Sequence, residues 1–135
     1  NVAALVVLLS QMILGGITAS HHAGLACPDF PACLGEWWPG YQGLVAIHLT
    51  HRMGAIVATV VFSIFLVQGF KQLKGIQNTR LRYILFFLCL QILLGIGNVV
   101  FRIPTSVGVL HLVIAQTLVA LTFLSAYEIY HQKLR

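Results

Sequence analysis

The architecture of this chain is set by residues 44–70, which read LVAIHLTHRMGAIVATVVFSIFLVQGF. The segment carries His48, His51 and Arg52 near its start and is almost uniformly apolar from there to Gly69. A run of about 20 apolar residues is long enough to cross the hydrocarbon core of a bilayer. It does so as a helix, because its backbone polar groups must all be satisfied within the segment. We therefore predict a membrane-spanning helix over 44–70.

Three further apolar runs occur along the chain, at about 2–18, 81–100 and 104–130. The 135 residues are 59% hydrophobic and only 8% charged, whereas a soluble domain carries about 25% charged residues. This composition excludes a soluble globular domain. We predict an all-α fold, a single polytopic membrane four-helix bundle over residues 1–135. The net charge of +5 is too scattered to form a nucleic-acid-binding surface.

Basic residues predict the orientation of these helices, since cytoplasmic loops are enriched in Lys and Arg. Four of them flank the link between the second and third helices, and two more end the chain: Lys71, Lys74, Arg80, Arg82, Lys133 and Arg135. The connection 19–43 contains no Lys or Arg. We therefore expect both termini and the 71–80 link in the cytoplasm. The loop 19–43 is expected on the oxidising side of a prokaryotic plasma membrane or a mitochondrial inner membrane.

The loop 19–43 is rich in proline and glycine, which excludes a regular helix across it. Trp37, Trp38 and Tyr41 precede the second helix, where amphipathic rings prefer the depth of the lipid headgroups. We expect these three side chains to anchor a structured outer loop to the membrane surface.

Two cysteines of this loop, Cys27 and Cys33, lie on the face expected to be oxidising, where disulfides persist. We predict a disulfide between them. A small ring stabilises a protein less than a long one, which leaves room for a redox-sensitive role. Cys89, within the third helix, is expected to be a small packing residue.

A short internal repeat links the two halves of the chain. Residues 11–17 read QMILGGI and residues 91–97 read QILLGIG, and each is followed by a connection and a helix with an early histidine. We predict two parallel two-helix repeats related by a pseudo-twofold axis along the membrane normal. The alternative is that glycine and leucine are simply common in membrane helices.

Histidines 51 and 111 are the notable ionisable residues of the membrane segments, where such groups are costly and mark function by default. Each lies seven residues after its expected helix start, at 44 or 104, which is about 10 Å of helical rise. We expect the two imidazoles to face each other at equal depth. The alternative is that each is a hydrogen-bonded packing residue.

Two facing imidazoles suit a haem (heme) better than zinc. Zinc takes four ligands, or three with an open position, and the predicted bundle interior adds only Cys89. Haem iron needs two axial ligands, and its macrocycle fits between apolar helices. We predict that His51 and His111 ligate a haem iron, for electron transfer or structure. His48, Arg52 and Arg102 are candidate partners for the haem propionates. Alternatively, His48 is itself an iron ligand, and the two arginines are interfacial cations whose long side chains reach towards water.

Three stretches carry a resemblance to a known family: GGITASHHAGLACPDFPACLGEWWP at 15–39, AIHLTHRMGA at 46–55 and QILLGIGNVVFRIPTSVGVLHLVIAQ at 91–116. The chain resembles the haem A synthase family, in particular the C-terminal four-helix half of its eight-helix members. That resemblance implies oxidation of the haem O methyl group to the formyl group of haem A for cytochrome oxidase. It also implies that His51 and His111 hold a haem b and that Cys27 and Cys33 are the disulfide of the outer loop.

One position departs from the substrate-binding half of that family. The family's glutamate, three residues before the ligand histidine, is replaced by His48. The resemblance therefore implies a haem b half without a catalytic carboxylate, paired as a homodimer or with a second four-helix half. A non-catalytic haem b electron-transfer or structural subunit of a respiratory complex is the alternative. A channel or transporter is disfavoured, because the second and fourth helices lack a continuous polar path. The pair His21 and His22 is expected to be solvated, with a transient metal contact left open.

Overall fold

The computed structural model describes residues 2–72 and 75–133, apart from the side chains of Ile129, Gln132 and Lys133. The helices within these ranges are α1 (Val2–Ser20), α2 (Gly43–Gln72), α3 (Ile76–Val100) and α4 (Thr105–Lys133), together with a short 3-10 helix at Ala23–Leu25. All four α-helices are long and apolar enough to cross a membrane. The predicted all-α chain with four membrane helices is confirmed.

The third helix begins at Ile76, five residues before the predicted start at 81. Residues 76–80 are mostly polar and look like an interhelical loop in the sequence, yet they form the first turns of α3. Arg80 in this stretch pairs with Glu128 of α4, with Nη1 and Oε2 2.7 Å apart. This pair joins the start of α3 to α4.

The fourth helix begins one residue after Pro104, whose carbonyl accepts the N–H of Gly108 at 3.0 Å. Proline therefore precedes the helix here rather than forming its first residue. Two basic residues used to predict orientation, Lys74 and Arg135, lie outside the described residues, as does the side chain of Lys133. The orientation of the bundle stays a prediction.

The four helices form a ring in which each contacts its neighbours along the chain and α1 also contacts α4. The most extensive packing lies within two hairpins, α1 with α2 and α3 with α4. In this ring α2 and α4 stand diagonally opposite each other. Side chains on their inward faces therefore approach across the middle of the bundle.

The apolar core occupies only one half of the bundle. We call the end that carries residues 19–43 the loop end, and the opposite end the far end. The buried cluster lies towards the far end and consists of Ala4, Leu8, Phe62, Phe65, Leu66, Leu81, Ile84, Leu88 and Leu118. Helix association in lipid depends on van der Waals packing of this kind, because lipid tails are as apolar as the side chains. The loop end is built differently.

The loop 19–43 folds around a disulfide between Cys27 and Cys33, as predicted. Both cysteines are buried, and Leu49 of α2 packs against them. Cys33 and Glu36 exchange backbone hydrogen bonds of 2.8 and 3.1 Å, which closes a tight turn. The expectation for Cys89 was wrong: its side chain is exposed on the surface of α3 and packs into no core.

Candidate functional site

His51 is held against α1 by a glutamine and a glycine. The Nε2 of Gln11 donates to the backbone carbonyl of His51 at 2.9 Å and lies 3.1 Å from the ring Nδ1. One turn further along α1 is Gly15, where an added Cβ would lie 3.2 Å from Cε1 of the same ring. The imidazole therefore packs closely against the α1 backbone, where a side chain at position 15 would crowd the ring.

His111 is held against α3 by the same pair of residue types. The Nε2 of Gln91 lies 3.2 Å from Nε2 of His111. A Cβ added at Gly95 would lie 3.3 Å from Cε1 of this ring. The other ring nitrogen, Nδ1, is buried and has no hydrogen-bond partner among residues 2–72 and 75–133.

The two arrangements share one pattern. In each, a glutamine and a glycine four residues apart on one helix contact a histidine on the next helix. They differ in detail, since Gln11 faces Nδ1 of its histidine and Gln91 faces Nε2. His51 lies eight residues after the start of α2 and His111 six after the start of α4. The predicted equal spacing from the helix starts is therefore off by two residues, or about 3 Å of rise.

His51 and His111 belong to diagonally opposite helices, α2 and α4. Both rings are only partly exposed, and both lie in the loop half of the bundle, beyond the apolar core. That the two imidazoles face each other stays a prediction.

His48, one turn closer to the loop end, has another contact. Its side chain is 4% exposed, and Nδ1 donates a 2.9 Å hydrogen bond to the carbonyl of Ala23 in the 3-10 helix. On the other side of that 3-10 helix, a Cβ added at Gly24 would clash with the side chain of Ile103 in the α3–α4 connection. The 3-10 helix is therefore packed between α2 and the α3–α4 connection.

Arg52 is directed at the disulfide loop. Its guanidinium donates to the carbonyl oxygens of Cys27, Asp29 and Ala32 at 2.8 to 2.9 Å. It also lies 5.9 Å from the ring centre of Phe30, within the range of a cation–π contact. Arginine's planar fork of donors suits such multiple recognition. Arg52 therefore fastens the loop to α2 at the residue next to His51.

Residues 1–123 match the family model COX15-CtaA, described as a cytochrome oxidase assembly protein. The chain belongs to the COX15-CtaA family. Three relatives named Heme A synthase are similar to it: 32% identical over 131 residues in Shewanella oneidensis, 31% over 115 in Neorickettsia sennetsu and 29% over 132 in Brucella anthropi. These alignments cover 79%, 78% and 88% of this chain, but only 39%, 35% and 36% of the relatives. No solved structure matches the chain.

The family predicted from the sequence is confirmed, and the chain is an integral membrane protein. It spans less than two fifths of the length of these Heme A synthases. The family match covers both histidines and the disulfide loop, which lie within residues 1–123.

Sequence reasoning missed the contacts of Gln11 and Gln91 in this COX15-CtaA member. Both were noticed as markers of the internal repeat, but not as partners of the histidines. The available signal was the repeat itself, because a polar residue recurring at one depth of two apolar helices requires a partner. Gly54 was also missed: a Cβ there would collide with Oε1 of Gln11, so this glycine allows the amide to approach α2.

The acidic residues of the chain are used away from the histidine pair. Asp29 accepts the backbone N–H of Gly35 at 2.9 Å within the loop. Glu128 pairs with Arg80 towards the far end, and Glu36 is exposed in the loop.

Other predicted residues lie on the surface of the loop end. Arg102 is exposed in the α3–α4 connection, with a φ of 58°. His21 and His22 are both exposed. The three aromatic residues expected at headgroup depth are exposed as well: Trp37, Trp38 and Tyr41. Exposure suits anchoring, which stays a prediction.

Proposed function

We propose that this chain provides the bis-His haem b site of a haem A synthase-type membrane oxidoreductase. That enzyme oxidises the methyl group of haem O to the formyl group of haem A for cytochrome oxidase. The similarity to proteins named Heme A synthase supports the reaction, and the family description supports the link to cytochrome oxidase. The observation that carries the site is the pair of histidines on diagonally opposite helices, each seated on a glycine of the neighbouring helix in its own hairpin.

The donor set fits a haem. Each imidazole keeps one nitrogen away from its glutamine, Nε2 in His51 and Nδ1 in His111. The Nδ1 of His111 is buried without a partner, and leaving such a group unsatisfied costs about 1–3 kcal/mol. Haem iron binds histidine through Nε2, so His51 presents the usual ligating nitrogen, and His111 would have to change its ring orientation to do the same.

The chain's own residues have separate tasks in this proposal. His51 and His111 hold the iron from two sides, and haem b when bound supplies a one-electron relay. Arg102, exposed at the loop end, is the guanidinium available to bind a propionate. The predicted propionate contacts of His48 and Arg52 stay predictions. Nδ1 of His48 and both Nη atoms of Arg52 bind the loop, while Nε of Arg52 is buried without a partner among the described residues.

A second four-helix unit completes the enzyme in this proposal. The three acidic residues of the chain serve the loop and the far end, so the carboxylate expected beside the substrate haem must come from elsewhere. We propose that a second copy, or a separate four-helix half, supplies the substrate site.

A second candidate function is favoured by the same placement of acidic residues. A haem b subunit that only transfers electrons or supports a respiratory assembly needs no carboxylate at the haem. Pigment analysis of cells that make haem O and express the chain separates the two. Haem A formed above the level of the empty-vector strain indicates the synthase; a b-type spectrum without conversion indicates the electron-transfer subunit.

The haem site itself is tested by the reduced-minus-oxidised spectrum of the purified protein. We expect a b-type spectrum in the wild type and its loss in both His51→Ala and His111→Ala. His21→Ala is the matched control, because that histidine is exposed at the end of α1. Unchanged haem content in either ligand variant would overturn the assignment.

A further inference from the structure

We propose that α4 carries an interaction surface for a second copy of this chain, centred on Gln116. We call this surface the outer face of α4; it consists of the exposed residues Val109, Val113, Gln116, Ala120, Phe123 and Tyr127. The inference rests on the proposed function for the need of a second four-helix unit, and deepens it by naming where that unit attaches.

Gln116 lies at the centre of a membrane span. The span in α4 is Thr105–Glu128, with 24 residues, and Gln116 is the twelfth of them. Its side chain is exposed and too short to reach the headgroups, because roughly 15 Å of hydrocarbon lies on either side of the centre. The amide has two N–H donors and an acceptor oxygen, and lipid tails offer no partner for any of them.

The hydrogen bonds described for the chain leave this amide unused. Within α4 they involve the side chains of His111, Thr117, Ser125 and Glu128. Ser10 and Ser63 are exposed on other membrane helices, but each hydroxyl donates to the carbonyl four residues earlier, at 2.9 and 2.8 Å. Gln116 has no such described bond. A polar side chain in this position is typical of a contact between membrane helices.

The residues around Gln116 suit packing against another helix. Members of the outer face follow one another at steps of four, three, four, three and four residues, the spacing with which helices pack side by side in a coiled coil. Ala120, one turn from Gln116, is small and allows two backbones to approach closely. His111 lies about 140° around the helix from Gln116. A contact at the outer face therefore leaves the proposed haem site uncovered.

A second copy of the chain fits this face. Two copies inserted in the same direction are related by a twofold axis along the membrane normal, so each residue on the axis meets its equivalent at the same depth. An amide both donates and accepts, so two Gln116 side chains can bond to each other whichever way each amide is turned. No member of the outer face carries a charge, so two copies of the face do not repel each other.

The first experiment measures dimerisation of the purified full chain in phosphatidylcholine vesicles, by energy transfer between copies labelled at the N-terminus with donor and acceptor dyes. We expect the wild type to dimerise and Gln116→Leu to raise the dissociation constant about tenfold, because a polar contact between membrane helices contributes roughly that factor. Gln116→Asn keeps an amide and should dissociate less than Gln116→Leu. Ser63→Ala is the matched control, because its exposed hydroxyl bonds within its own helix.

A cross-linking experiment tests whether the outer faces lie next to each other. Cys89, the free cysteine among the described residues, is replaced by serine in every sample, and a new thiol is introduced by Ala120→Cys or by Ser63→Cys. We expect mild oxidation to link Ala120→Cys into a dimer and to leave Ser63→Cys monomeric. Equal cross-linking of the two variants would overturn the inference.

Two further results would also overturn it: a monomeric wild type, which a different four-helix half on this face would produce, or a Gln116→Leu variant that dissociates like Ser63→Ala. Haem content separates this inference from the proposed function, because Gln116→Leu should keep the haem content of the wild type. A wild-type dimer that takes up no haem would overturn the proposed function alone. A wild type that takes up haem and stays monomeric would overturn the α4 surface alone.

Discussion

The Nδ1 of His48 donates a 2.9 Å hydrogen bond to the carbonyl of Ala23, which joins the second turn of α2 to the 3-10 helix of the loop. Both partners are buried, with exposed fractions of 4% and 0%. This bond lies one turn from His51, so the loop contact and His51 share one segment of α2. The loop end is held by polar contacts, whereas the far end is held by apolar packing.

Replacing His48 should destabilise the 3-10 helix locally without unfolding the four-helix bundle. In His48→Ala the buried carbonyl of Ala23 loses its donor, which costs about 1–3 kcal/mol. We expect faster amide hydrogen exchange in residues 23–26, measured by mass spectrometry in detergent, and unchanged exchange in the far half of α2. His22→Ala, an exposed neighbour in sequence to the 3-10 helix, is the control. Equal exchange in the two variants would show that this bond does not hold the loop.

Replacing Arg52 should expose the disulfide loop. Arg52→Met removes the donors to the carbonyls of Cys27, Asp29 and Ala32, so the backbone around both cysteines is less constrained. We expect faster reduction of the disulfide by a mild thiol and faster cleavage of the loop by protease. The control is Arg82→Met, since Arg82 is exposed on α3. Arg52→Lys should resemble Arg52→Met, because an ammonium group cannot reproduce the planar fork.

Adding a Cβ at Gly15 or Gly95 should displace the adjacent histidine ring. A Cβ at Gly15 or Gly95 would lie 3.2 or 3.3 Å from Cε1 of the adjacent imidazole, whereas one at Gly16 meets nothing within 4 Å. We expect Gly15→Ala and Gly95→Ala to lower the haem content of purified protein several-fold, and Gly16→Ala to leave it unchanged. Haem content is measured by the pyridine haemochrome spectrum. If all three variants bind equally, the rings do not need these seats.

The ion pair between Arg80 and Glu128 should contribute little to stability. The two side chains are 17% and 35% exposed, and partly exposed pairs are screened, so we expect about 1 kcal/mol or less. The check is a double-mutant cycle with Arg80→Met and Glu128→Gln, followed by unfolding in detergent. A coupling of several kcal/mol would show that the pair behaves as a buried one. Haem content should not change in either single variant.

The number and type of the helices could be predicted from the sequence because long apolar runs leave the backbone no alternative to a helix in lipid. The start of α3 could not, since the helix begins in the mostly polar residues 76–80, where Arg80 contacts Glu128, 48 residues later. The pattern of apolar residues along the chain does not predict the contact between Arg80 and Glu128.

His51 and His111 stand out in the sequence because a membrane segment makes an ionisable residue conspicuous, and their role as haem ligands stays a prediction. Their partners were not. Gln11 contacts a residue 40 positions away, and which of its neighbours it meets depends on how α1 rotates against α2. The use of Arg52 was missed for a similar reason: its role depends on the path of a loop that proline and glycine make irregular.

The confinement of the apolar core to the far end has a mechanical consequence. Leu8, Phe62, Leu81 and Leu118 pack the four helices together at one end. At the opposite end the buried apolar cluster is small and belongs to the loop and α2. We therefore expect the helices to separate more easily at the loop end, so that a large flat ligand would enter there after the bundle has formed.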